Sequence, residues 1–140
     1  MASIRFRSDP GTLKDTTEMA RTLLIDDSQV VRRFCRQTLS TMGFEVYEAA
    51  HGRAALEVLE TVPQIVLILL DWQMPVMDGR EFLRELSGRT FDSEPRILVC
   101  STCGGIADIR MALDEGADEF LMKPFTEDIL RDKVLEAFAR

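Results

Sequence analysis

Between Gln64 and Asp71 the chain reads Ile-Val-Leu-Ile-Leu-Leu, and these six residues are its longest unbroken apolar run. Six residues fall far short of the ~20 that a membrane span needs, and are few for a buried helix. A strand with one solvated face would alternate apolar with polar residues. This run of branched side chains does not, so it predicts a strand covered on both faces, the signature of a parallel sheet flanked by helices.

The flanking sequence supplies the rest of such a sheet. Residues 22–25, 45–49, 97–100 and 119–122 are further short strand patterns. Between them the apolar period is helical. Val30, Val31, Phe34, Cys35, Leu39 and Met42 mark a first helix, stopped by Gly43; Ala54, Ala55, Val58, Leu59 and Val62 mark a second. Phe82, Leu83 and Leu86 mark a third, opened by Asp78 with Glu81 three residues on, a capping-box arrangement. Ile106, Ile109 and Leu113 mark a fourth, closed by Gly116. Thr126 caps a fifth, with Glu127 and Asp128 in its positive first turn and Ile129, Leu130, Val134 and Phe138 expected to face inward. Five strands alternating with five helices predict an α/β fold with a doubly wound parallel sheet.

Composition narrows the function. A chain of 140 residues, 46% hydrophobic and 29% charged, suits one globular domain with a self-sufficient core. Seventeen basic residues against 24 acidic ones, net −7, argue against a nucleic-acid binder, whose affinity comes from clustered Lys and Arg. Neither a secretory signal nor a membrane-inserting segment is evident, and three cysteines make no disulfide framework, so a cytoplasmic location is expected. Residues 1–20 read as a polar, flexible extension and residues 21–140 as the domain.

In an open parallel sheet the functional site lies at the carboxyl ends of the strands. The first strand ends in Asp26-Asp27, the third in Asp71, the fourth in Ser101 and the fifth in Lys123-Pro124. Three carboxylates, a hydroxyl and an ammonium therefore converge on one edge. Like charges so close raise one another's proton affinity unless a cation intervenes, which predicts a divalent metal. An all-oxygen donor set with few protein ligands suits Mg²⁺. A carboxylate is a competent nucleophile toward phosphorus, and Asp71, at the end of the most buried strand, is the expected one. Mg²⁺ and Lys123 would neutralise charge on the transferring group, and Ser101 would donate a hydrogen bond to it.

The segments LLIDDSQVVRR, LLDWQMPVMDG, ILVCST and FLMKPF resemble the motifs of the response-regulator receiver domain of two-component signalling, over residues 21–140. The resemblance implies a flavodoxin-like sheet of strand order 2-1-3-4-5 with helices on both faces. It implies Asp71 as the phosphorylated residue, with Asp27, Asp71 and the backbone carbonyl of Gln73 binding Mg²⁺ directly and Asp26 through water. Lys123 would pair with the phosphoryl group, and its bond to Pro124 would be cis. Ser101 would turn inward on phosphorylation, followed by Phe120 as the switch aromatic, remodelling the face made by the fourth helix, fifth strand and fifth helix.

Thr102, Gln73 and Cys103 depart from the commonest family pattern. The bulk of Thr102, where a small residue is frequent, is expected to hinder a phosphodonor or an attacking water and to slow the kinetics. Cys100 and Cys103 spell C-x-x-C, but the first falls in a strand and no second ligand pair exists for zinc, so a structural role is expected. His51, the only histidine, is expected to be a solvated surface residue, and Phe6 between Arg5 and Arg7 is too little to define a docking arm.

The implied function is a single-domain response regulator, not an enzyme acting on other substrates. It would take its phosphoryl group from a sensor histidine kinase or phosphotransfer protein and signal by contact, in chemotaxis to the flagellar motor switch. A phosphorelay or cell-cycle receiver is the alternative within the family. An aspartyl-phosphate phosphatase would carry a second acid where Gln73 stands, and a phosphorylation-independent interaction module would be expected to have lost Asp71, Asp27 or Lys123.

Overall fold

A computed structural model describes residues 19–90, 94–102 and 105–139. The elements alternate throughout: β1 (Ala20–Ile25), α1 (Gln29–Thr41), β2 (Phe44–Ala49), α2 (Gly52–Thr61), β3 (Ile65–Asp71), α3 (Gly79–Ser87), β4 (Arg96–Ser101), α4 (Ile106–Asp114), β5 (Glu119–Met122) and α5 (Glu127–Phe138). All neighbouring strands are parallel, in the order β2-β1-β3-β4-β5, so the expected doubly wound sheet and its strand order are both observed.

The apolar run of β3 works as its composition requires. Successive strand side chains point to opposite faces. Ile68 and Leu70 enter one core with Leu23, Ile25, Ala55, Leu56, Phe82 and Leu83, beneath α2 and α3. Leu67 and Leu69 enter the other with Leu24, Cys35, Leu39, Leu98, Leu130 and Val134, beneath α1 and α5. Residues 67–70 are at most 1% exposed, and this double burial seats the carboxyl end of β3 at the centre of the molecule.

The caps are set by short polar side chains. Ser28, Asp78 and Thr126 accept from the backbone N–H three residues on, opening α1, α3 and α5. Gly43, at φ 100°, turns the chain out of α1 into β2 as its position predicts.

Several of the apolar residues whose spacing marks the helices stay at the surface. Val30 is 77% exposed and Phe34 lies at the surface against Phe125. In α4 the apolar spacing finds the helix but not its depth: Ile106 is 79% exposed, Leu113 is also exposed, and only Ala112 is fully buried. β5 is an edge strand of four residues, so α4 has little sheet to lie on. Ile129 of α5 likewise stays exposed, whereas Leu130 and Val134 are buried and Phe138 packs against the core. His51 is no loose surface residue: half-buried, it caps α2, its Nδ1 accepting from Ala54 N at 3.2 Å. The polar extension lies outside the described residues except for Met19 and Ala20, and Ala20 already begins β1. Cys103, Arg5, Phe6 and Arg7 also lie outside them.

Candidate functional site

The strand ends deliver the expected residues to one edge. Asp26 and Asp27 follow β1, Asp71 closes β3, Ser101 closes β4 and Lys123 follows β5. Asp26, Asp71 and Ser101 are buried, whereas Asp27 faces solvent. Carboxylate oxygens of Asp26, Asp27 and Asp71 lie within 4.8 Å of one another.

Each side chain is held from its own loop. Asp26 Oδ1 accepts from Ser28 N at 2.9 Å, an Asx turn that leads into the capped start of α1. Its backbone oxygen accepts from Arg32 Nη1 at 2.6 Å, and Arg32 also pairs with Glu48 of β2. The Lys123 ammonium donates to Asp26 Oδ2 at 2.6 Å and lies 3.4 Å from Asp71 Oδ1. Lys123 N donates to the Ser101 carbonyl at 2.8 Å, and the Lys123-Pro124 bond is cis, as the resemblance implies.

Asp71 takes its hydrogen bond from Gln73 N on Oδ1, at 3.3 Å, the same oxygen that faces Lys123. The loop after it is tight. Met77 N donates to Pro75 O at 2.8 Å, a three-residue turn that holds exposed Val76 at φ 71°. That value is a strained one for a β-branched residue, and such strain collects at functional loops. Gly79 returns the chain to α3 against Trp72: a Cβ there would stand 2.7 Å from Trp72 Cε3 and 2.9 Å from its Cα.

The electrostatics follow from crowding. Burial, then the charge of Asp26, lifts the Asp71 carboxyl from an ordinary 3.8 to about 6, with Lys123 and Gln73 N opposing. Burial works against the Lys123 charge, but the hydrogen bond and charge of Asp26, with Asp71 and Cys100, hold its ammonium above the usual range. One ammonium against three carboxylates leaves negative charge uncompensated, and every donor in the cluster is oxygen. That set fits a hard divalent cation.

The remaining expected residues divide. Thr102, exposed beside buried Ser101, donates from Oγ1 to Gln73 Oε1 at 2.8 Å, a contact that neither residue's spacing announces. Phe120 is half-buried and lines a groove of about 550 Å³ with Ile109, Leu113, Met122, Ile129 and Lys133, a lining that includes none of Asp26, Asp27 and Asp71. The Asx turn at Ser28 and the reach of Arg32 were missed in the sequence. Only Ser28, three residues before Val31 at a helix start, carries a local signal for its role.

Fold and site together define a doubly wound α/β protein with an acidic, cation-competent pocket at the carboxyl edge of its sheet. The chain belongs to the response regulator receiver domain family, whose profile matches residues 22–135. It is 35% identical over 113 residues to the chemotaxis protein CheY1 of Helicobacter pylori, covering 80% of this chain and 91% of that protein. Its fold matches the chemotaxis response regulator CheY4 of Vibrio cholerae with a TM-score of 0.80 and 31% identity, covering 86% of this chain and 99% of that one. It also matches CheY in a CheX–CheY–BeF3–Mg complex from Borrelia burgdorferi, with a TM-score of 0.77, 28% identity and coverage of 86% and 90%. Among the described residues no helix is long and apolar enough to cross a membrane.

Proposed function

We propose that this receiver domain accepts a phosphoryl group on Asp71 in a Mg²⁺-dependent reaction and signals by protein contact, in a chemotaxis-type pathway. One observation carries the reading: Asp71 is buried at the end of the central strand, and among the described residues the polar contacts of its carboxylate are both made at Oδ1, beside Lys123 and two further carboxylates. Oδ2 is then the oxygen left to attack phosphorus. As the Oδ2–P bond forms, the N–P bond of a phosphohistidine donor breaks and its electron pair returns to the imidazole. Asp27, Asp71 and the Gln73 carbonyl would hold Mg²⁺, with Asp26 acting through water, and the ion would supply charge neutralisation for the phosphoryl oxygens. Lys123 supplies the same from the protein side, and Ser101 lies on the adjacent strand end to bond a phosphoryl oxygen. In this reading the chain catalyses its own phosphorylation and dephosphorylation and turns over no separate substrate.

The donor is a sensor histidine kinase or a phosphotransfer protein, which in a chemotaxis-type pathway acts in the cytoplasm. The α4–β5–α5 face, where Phe120, Ile106, Leu113, Met122 and Ile129 leave apolar surface open, is the output side, toward a downstream protein such as the flagellar motor switch. The chemotaxis names of the Helicobacter and Vibrio relatives support that choice, and the Mg and CheX of the Borrelia complex support the metal and a protein partner.

Trp72, next to Asp71, reports the test. Its fluorescence is titrated with Mg²⁺ and then with acetyl phosphate, with intact mass read in parallel and Asp71→Asn as control. A Mg²⁺ response, then a saturable acetyl-phosphate response with one phosphoryl group gained, both absent from the variant for the second ligand, is the expected result. No mass gain in the wild-type protein at saturating Mg²⁺ overturns the reading.

A further inference from the structure

One peptide unit joins Asp26 to Asp27, and these two residues bring two of the three clustered carboxylates. A peptide unit is planar, so whatever fixes its oxygen fixes its plane and the start of the next residue. Among the described residues one side chain bonds this unit: Arg32, one turn into α1, donates from Nη1 to Asp26 O at 2.6 Å. The same guanidinium donates from Nε to Glu48 Oε1 of β2 at 3.0 Å. The fork is therefore held at two points, and its charge is paired with Glu48. The other Glu48 oxygen accepts from Arg36 Nε at 2.6 Å, so the carboxylate that orients Arg32 is itself fixed from the next turn of α1.

We propose that Arg32 is a positioning residue for the divalent cation, which acts through the geometry of its fork and not through its charge: it fixes the Asp26–Asp27 peptide and so limits where the Asp27 carboxylate can stand. The inference rests on the metal reading of the cluster. Asp26 and Asp71 are placed without Arg32, because Lys123 reaches both. Asp26 is further held by its own N–H to Ala49 O at 3.2 Å and by Ser28 N on its Oδ1. Asp27 is exposed, and among the described residues no side chain bonds its carboxylate. Repulsion from the other two carboxylates favours turning it out to solvent before a cation arrives. A fixed peptide narrows the positions open to it, so less ordering remains to be done on binding.

Three variants of the full chain separate the fork from the charge, each first shown to be folded by urea unfolding in EDTA. Mg²⁺ affinity is read from Trp72 fluorescence and from the backbone amide shift of Asp27. Arg32→Met removes a cation from beside the acidic turn, so an action through charge would tighten Mg²⁺ binding. Positioning requires the reverse, a loss of about tenfold, as for other partners that orient a metal ligand from behind. Arg32→Lys keeps the charge, but one ammonium does not reproduce a fork that bonds Glu48 and the Asp26 carbonyl together, so it should lose about threefold or more. Arg36→Met removes the same charge and the same Glu48 partner, but the backbone bond of Arg36 goes to Val46 O and not to the acidic turn. Its affinity should stay within about twofold of the wild type. Unchanged or tighter binding in Arg32→Met, unchanged binding in Arg32→Lys, or an equal loss in Arg36→Met overturns the proposal.

A second readout needs no metal. A hydrogen bond to a peptide oxygen polarises the N–H of the same unit. In EDTA the Asp27 amide signal should therefore move in both Arg32 variants and keep its place in Arg36→Met. An unmoved Asp27 amide in Arg32→Met overturns the proposal. If the wild type responds to Mg²⁺ by neither signal, the metal reading fails and this inference falls with it. A wild-type response that all three variants share overturns this inference alone.

Discussion

Lys123 is committed to Asp26 before it is committed to Asp71: its ammonium lies 2.6 Å from Asp26 Oδ2 and 3.4 Å from Asp71 Oδ1. The two carboxylates thus share one cation unequally. Asp26, Asp27 and Asp71 would hold a divalent ion in competition with the Lys123 ammonium, which would then be left to Asp71 and whatever Asp71 carries.

Removing that ammonium should therefore move metal binding and phosphoryl transfer in opposite directions. Lys123→Met keeps the side-chain length and leaves three carboxylates with no internal counter-charge. Its Mg²⁺ affinity, read from Trp72 fluorescence, should rise by about tenfold, while acetyl-phosphate uptake should fall by about 10²-fold or more, the usual loss on deleting one charge-stabilising donor. If both quantities fell together, Lys123 would be holding the pocket's shape rather than its charge.

Asp71 makes the fold pH-sensitive in the absence of metal. Its carboxyl is lifted from 3.8 to about 6, so the folded state prefers the proton more than the unfolded state does. Below pH ~4 both states hold the proton, and Asp71 costs nothing. Between pH ~4 and ~6 the unfolded chain ionises first and stability declines, and above ~6 the full cost remains. Asp71→Asn should then stabilise the metal-free protein by about 1–3 kcal/mol at pH 7–8 and by almost nothing near pH 4. Urea unfolding in EDTA at the two pH values measures this, and an equal gain at both would show that the ionisation of Asp71 is not the cause.

How much of this the sequence made legible depends on the range over which each signal acts. The two-face burial of β3 is written in six consecutive residues, and with it the parallel sheet and the edge where Asp26, Asp27, Asp71, Ser101 and Lys123 meet. Caps by Asp78 and Thr126 are local and were readable for the same reason. What failed was depth and cross-chain contact. The period of Ile106, Ile109 and Leu113 shows that a helix forms, but the shortness of the strand beneath it leaves Ile106 and Leu113 in solvent. Thr102 and Gln73 are 29 residues apart, and no periodicity joins two loop residues whose only link is the space between two strand ends.

His51 shows the same limit in one residue, and its cap can be weighed directly. The residue before α2 is extended, at φ −159° and ψ 170°, with Nδ1 in the place a Ser or Asp oxygen usually takes. His51→Ala should lower stability by about 0.5–1 kcal/mol, and His51→Ser should recover most of it, because a shorter acceptor reaches the same N–H. Urea midpoints at constant m-value measure both. An unchanged midpoint for His51→Ala would mean that the Ala54 N–H is satisfied as well by water.

Cys35 and Cys100 are buried and share one core, and their chemistry is suppressed by that burial. Desolvation, then the charge of Asp26, pushes the Cys35 thiol up to about 12, and burial, then Cys35 itself, drives Cys100 well above its ordinary value. Only the thiolate reacts, and at pH 8 a thiol of pKa ~12 is ionised about one part in 10⁴. A disulfide reagent applied to the folded protein at pH 8 should therefore leave both unlabelled, and both should label in urea, as read by peptide mass. The outcome bears on the site because Cys100 adjoins Ser101, whose carbonyl holds Lys123 N. Rapid labelling of Cys100 in the folded protein would show that the end of β4 opens to solvent, and would make a thiol switch at the fourth strand a working alternative to an inert core cysteine.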